Sequence, residues 1–112
     1  MTEPTEPSVL GADLRVIDNP GARRYDAWFG AELAGFAEYD PAEGRLIFTH
    51  TEVDPAFSGR GVGSGLARAA LDDVRARGLH VTPLCPFISA WIKRHPAYGD
   101  LVVGIQGGTT RG

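Results

Sequence analysis

The chain has 112 residues, 43% of them hydrophobic and 22% charged, with a formal net charge of −3. That length and composition describe one globular domain, able to bury about two-thirds of its unfolded surface. The acidic balance argues against a general nucleic-acid binder, and no apolar run nears the ~20 residues of a membrane helix, so neither nucleic acid nor membrane is expected as a partner.

The opening stretch from Met1 to Pro7 is acidic and proline-rich, the opposite of a signal peptide, and residues 1–12 are expected to form a disordered tail. A single domain is expected over 13–105, followed by a flexible tail at 106–112. The single cysteine, Cys85, cannot form an internal disulfide, so a reducing cytoplasm is the expected compartment. The three histidines and this cysteine lack ligand spacing, and no metal site is expected.

Leu14 to Asp18 is a short strand candidate, stopped by Asn19-Pro20-Gly21. Arg24 to Phe29 and Leu33 to Tyr39 follow as strands, joined by a turn at Gly30-Ala31-Glu32. Asp40-Pro41-Ala42-Glu43-Gly44 reads as a second turn, and Arg45 to Val53 as the fourth and longest strand. This half of the chain is an antiparallel meander.

Val62, Leu66, Ala70 and Val74, with Ala67 and Leu71 beside them, then form one apolar helix stripe, with Gly78 as the residue that ends the helix. Leu79 to Cys85 is β-prone and predicts a fifth strand, parallel to the fourth through a right-handed crossover. Pro86 suits the first position of a second helix, which Pro96 ends. A last strand is expected within Tyr98 to Ile105. The fold class is therefore α+β.

Between the fourth strand and the first helix runs Asp54-Pro55-Ala56-Phe57-Ser58-Gly59-Arg60-Gly61-Val62-Gly63-Ser64. Glycines at 59, 61 and 63 allow close approach to the backbone, and the first turn of the helix offers free N–H groups and partial positive charge. Phosphate binds well in such a place, and Arg60 adds a full charge. A Walker loop would need a lysine that is absent here. A dinucleotide fingerprint would open the first βαβ unit, whereas the strands of the meander precede this loop.

The loop resembles the acetyl-coenzyme A pyrophosphate loop of the Gcn5-related N-acetyltransferases, Gln/Arg-x-x-Gly-x-Gly/Ala: Gly61 and Gly63 match, and Ser58 stands where the pattern has Gln or Arg. Phe48-Thr49-His50-Thr51-Glu52-Val53, Pro83-Leu84-Cys85-Pro86-Phe87 and Arg94-His95-Pro96-Ala97-Tyr98 extend the resemblance to a short, compact subgroup with a cysteine in the cleft. It covers roughly residues 14 to 102. The resemblance implies a compact fold with splayed parallel strands four and five, and acetyl-CoA as co-substrate. The pantetheine arm would pair with the backbone of Thr51 to Val53, and the pyrophosphate would sit on Ser58, Gly59, Arg60, Gly61, Val62, Gly63 and Ser64. The acceptor would be a small-molecule or lysine amine, and the protein a monomer or weak dimer. The helices that usually lie between the first and second strands of that superfamily are missing.

Three residues are candidates for catalysis. Cys85 falls where the fifth strand gives way to a helix, a position that lowers a thiol's pKa and favours a nucleophile; a small buried hydrophobe is the alternative. His50 and Glu52 project from one strand face, taken to be that of Leu46 and Phe48, and either can act as a base toward an amine; His50 is also a candidate base toward Cys85. Two routes stay open: direct transfer with Cys85 as the acid, or an acetyl-cysteine. The competing reading is a non-catalytic acyl-CoA-binding or sensing module. Trp91 is expected to be core and His95 a helix terminus, with Tyr98 a reserve acid.

Overall fold

A computed structural model describes residues 14–104; the two expected tails, and the end of the expected last strand at Ile105, lie outside these. The elements run β1 (Leu14–Asn19), β2 (Arg24–Phe29), β3 (Glu32–Ala42), β4 (Arg45–Val53), α1 (Val62–Ala76), β5 (His80–Pro83) and α2 (Pro86–Arg94), with short 3₁₀ turns at Pro20–Ala22, Pro55–Phe57 and Pro96–Leu101. One sheet has the order β1-β2-β3-β4-β5, antiparallel throughout except for the parallel pair β4–β5.

α1 forms because its apolar positions recur at helical spacing: Val62, Leu66, Ala67, Ala70, Leu71 and Val74 are all buried across the sheet. It ends as expected at Gly78, whose φ of 71° is left-handed. The Gly78 and Leu79 N–H groups return to the carbonyls of Arg75 and Val74, closing the last turn. α2 packs against α1, and Phe48, Leu66, Ile88 and Trp91 meet in the core between helices and sheet.

Three expectations change. The turn read at Asp40-Pro41-Ala42 belongs to β3, and the chain reverses at Glu43–Gly44. Pairing with β2 ends at Arg24↔Glu38, so Pro41 sits where β3 has no strand on one side and its missing N–H leaves no gap in a ladder. β5 stops at Pro83, leaving Leu84 exposed in a tight turn. The last strand is replaced, among the described residues, by the 3₁₀ turn Pro96–Leu101 and one parallel bridge between Val81 and Val102.

A bulge in β4 has consequences for the site. Tyr39 pairs with Phe48 but Glu38 pairs with His50, so Thr49 has no partner. The extra residue reverses the side-chain alternation. Phe48 and Thr51 therefore share the helix-covered face, while His50 and Glu52 turn to the other one. This corrects the expected placement of His50 and Glu52 beside Leu46 and Phe48.

Candidate functional site

β4 and β5 pair only from Arg45↔His80 to Phe48↔Pro83. There the strands part, and the Cys85 N–H donates to the Phe48 carbonyl at 2.8 Å, closing the apex of a fork. β4 continues to Val53. Its Asp54 N–H donates to Ala34 on the β3 side. By strand alternation the backbone groups of Val53 and Thr51 then point away from β3, toward the open edge of the fork.

The chain leaves β4 through Asp54, whose carboxylate accepts the Ala56 N–H at 2.9 Å and starts the turn Pro55–Phe57. Gly59 and Gly61 both adopt φ near 79°, a left-handed conformation in which a side chain would be strained, and a Cβ on either would meet open space. The N–H groups of Ser58 and Arg60 are turned inward to Pro55 and Phe57. The first intrahelical bond runs from Gly65 to Gly61, so Val62, Gly63 and Ser64 present the unpaired N–H groups of the first turn.

These groups open onto a cleft of about 700 Å³ between the loop and α2. Of the residues expected to bind coenzyme A, Val53, Ser58, Gly59, Gly61, Val62, Gly63 and Ser64 line it, whereas Thr51 and Arg60 do not. Arg60 lies with its guanidinium carbon 4.5 Å from the centre of the Phe29 ring, which stacks on Phe57. Gly63 serves packing as well: a Cβ there would stand 2.8 Å from the Phe87 ring.

The far wall belongs to α2. Phe87, Trp91, Arg94 and His95 all line the cleft. Trp91 is core, as expected, at 1% exposure, yet its indole N–H reaches forward to Ser64 Oγ at 2.9 Å and ties α2 to the first turn of α1. His95 stacks on Trp91 with ring centres 3.8 Å apart. Its Nδ1 lies 2.8 Å from the Trp91 carbonyl, which only accepts, so Nδ1 carries the proton and Nε2 is left free. Arg94 is a functional candidate that the sequence reading missed, and His95 one that it set aside as a helix terminus. Their signal was the spacing 87, 91, 94, 95, one helical stripe that runs from apolar to basic.

The three catalytic candidates divide between the faces of the sheet. Cys85 is 3% exposed, caps the start of α2 and holds its thiol 3.3 Å from the Thr51 hydroxyl. His50 Nε2 lies 3.1 Å from Glu52 Oε1 on the exposed face, so His50 donates and Nδ1 stays free. Glu52 also borders a cavity of about 200 Å³ with Leu33, Gly35, Phe36, Asp54 and Pro55. β4 itself stands between His50 and Cys85, which does not favour His50 as the base for that thiol. Tyr98, the reserve acid, is outside the cleft lining and donates to Asp72 at 2.8 Å; burial and that bond raise its pKa.

A family model described as GCN5-related N-acetyl-transferase matches residues 24–101. The chain belongs to the GCN5-related N-acetyltransferase family. Protein NATD1 of Mus musculus is 32% identical over 100 residues, spanning 86% of this chain and 91% of the relative. Protein NATD1 of Homo sapiens is 43% identical over 47 residues, 42% of each chain. A GCN5-like protein from Staphylococcus aureus, solved by NMR, shares the fold with a TM-score of 0.63 at 18% identity, over 86% of this chain and 94% of that one. The compact α+β fold expected of this N-acetyltransferase family is thus the one the chain adopts.

Proposed function

We propose that the protein transfers an acetyl group from acetyl-coenzyme A to a primary amine. The observation that carries this reading is the fork. A glycine-loop cleft with unpaired N–H groups leads along the free edge of β4 to the Thr51–Cys85 pair. Coenzyme A fits this chain because Gly59 and Gly61 leave their approaches open and the first turn of α1 offers N–H donors for a pyrophosphate. The free backbone groups of Thr51 and Val53 suit an extended amide-bearing arm, paired like an added strand. Bound there, acetyl-CoA supplies an activated acyl group.

The rest of the chemistry belongs to the chain. Glu52, oriented by His50, or His50 through Nδ1, takes the proton the amine loses as its nitrogen bonds to the acyl carbon. The cavity beside Glu52 gives the amine room. As the carbon–sulfur bond breaks, Cys85 gives its proton to the departing sulfur and Thr51 holds the thiol in place. The acceptor thus approaches from one face and the acid stands on the other. This division, with Cys85 buried, favours direct transfer over an acetyl-cysteine. The same division also favours a second reading, a module that binds acyl-CoA without turning it over.

One experiment treats both. Coenzyme A at one hundred times its dissociation constant should stabilise the fold by about 2.7 kcal/mol. Acetyl-CoA with a panel of primary amines should release free thiol and acetylated amine. Stabilisation without release selects the binding module; neither one rejects the coenzyme A cleft altogether.

A further inference from the structure

We infer that Arg94, and not Arg60, is the side-chain cation that holds a phosphate group of coenzyme A in this cleft. The inference rests on the coenzyme A reading above. Arg60 is the charge within the glycine loop, but its guanidinium lies over Phe29 and Phe57 and it does not line the cleft. Arg94 lines it from the opposite wall, at the exposed end of α2.

No ion pair or hydrogen bond engages the Arg94 side chain among the described residues, whereas Arg24, Arg75 and Arg77 each hold an aspartate. No Asp or Glu lines the cleft either, so nothing there neutralises it. The cleft therefore pairs an uncompensated guanidinium with the unpaired N–H groups of Val62, Gly63 and Ser64. That combination selects an anion with several acceptor oxygens, and a guanidinium fork matches phosphate better than a lysine point charge.

The helix that carries it is held in place. Arg94 is three residues beyond Trp91 on the same helix face, and Trp91 is bonded to Ser64 in the first turn of α1. The two sources of positive potential thus sit on elements tied to each other. A merely structural arginine at a helix C-terminus would favour the dipole and affect stability, not ligand affinity.

Calorimetric titration of the folded full chain with coenzyme A and with dephospho-coenzyme A tests this. Arg94→Ala should weaken coenzyme A by about tenfold at low ionic strength, with the difference shrinking as salt is added. Arg94→Lys should recover part of the loss, and Arg60→Ala should keep the parent affinity. An equal loss with dephospho-coenzyme A assigns Arg94 to the pyrophosphate; a loss confined to coenzyme A assigns it to the ribose phosphate. Unchanged affinity in Arg94→Ala, or a larger loss in Arg60→Ala, overturns the inference while leaving the cleft intact. A parent chain that binds neither ligand rejects the coenzyme A reading itself. Arg94 is exposed, and melting curves of each variant verify that the fold persists.

Discussion

The Thr51 hydroxyl and the Cys85 thiol lie 3.3 Å apart, joining the free edge of β4 to the cap of α2. Position at a helix start favours a nucleophilic thiol, but Cys85 is only 3% exposed, and access governs its chemistry first. In the native protein, iodoacetamide should therefore alkylate Cys85 more slowly than a free thiol, reversing the expectation from sequence. Denaturant should restore the free rate. Cys85→Ala should keep coenzyme A affinity and lose turnover if the thiol is the acid. A native thiol that alkylates as fast as a free one shows that the fork opens in solution, and the covalent route returns.

Gly63 and Phe87 yield a second prediction. A Cβ at Gly63 would stand 2.8 Å from the ring, so Gly63→Ala should cost about 1–3 kcal/mol by overpacking. Phe87→Leu alone should cost less, and the double variant should recover most of the loss. Urea unfolding of the three variants gives the coupling. Additive losses would mean that Gly63 is needed by the ligand or the backbone, not by the ring. By contrast, a Cβ at Gly61 meets no neighbour, and Gly61→Val should lose coenzyme A binding at a stability cost set by the strain of a left-handed residue, about 1–2 kcal/mol.

These two positions show how far the sequence could be read. The glycine loop, the α1 stripe and the parallel β4–β5 crossover were legible because each is a local pattern with one physical solution. What failed was decided by tertiary register. Nothing local to Phe48-Thr49-His50 announces that Thr49 is left unpaired, yet that residue moves His50 and Glu52 across the sheet. Asp40-Pro41 carries turn chemistry, and only the early end of β2 makes room for proline in a strand. The contact of the Arg60 guanidinium with Phe29 and Phe57 is equally hidden from local pattern, because that aromatic pair joins residues 28 positions apart.

The end of α1 is held by a polar network. Tyr25 donates to Asp73 at 2.6 Å and accepts from Arg77 at 3.0 Å, and Tyr39 donates to Asp18 at 2.6 Å. Burial, then the Asp73 bond, raises the Tyr25 pKa strongly; burial and Asp18 push Tyr39 up to about 12. Both phenols keep their protons longer in the folded chain than in the unfolded one. Their contribution is complete below about pH 10, the unfolded tyrosine value, and is lost as pH rises toward the folded values. Urea midpoints should fall steeply above about pH 10. Tyr25→Phe should cost about 1–2 kcal/mol at neutral pH and flatten the alkaline fall. An alkaline profile unchanged in Tyr25→Phe and Tyr39→Phe would place the titrating group elsewhere.

The separation of Glu52 from Cys85 by the sheet makes the last prediction kinetic. If the acceptor arrives on the exposed face, the base there acts after coenzyme A is bound and contributes nothing to holding it. Glu52→Gln keeps the shape and the oxygen that accepts from His50, but removes the charge that takes a proton. It should lower kcat by about a hundredfold or more and leave coenzyme A affinity at the parent value. His50→Ala removes the group that orients Glu52 and one free acceptor, Nδ1, so its loss measures which member of the pair is the base. A larger loss in His50→Ala than in Glu52→Gln assigns the proton to the imidazole. Losses in the double variant no greater than in the worse single one would show that the pair works as a unit. Full turnover in both single variants would remove the base from this face. The acceptor would then have to enter on the helix side, where the Thr51–Cys85 pair stands and Ser58, Ser64, Arg94 and the His95 Nε2 are the polar side-chain groups lining the cleft.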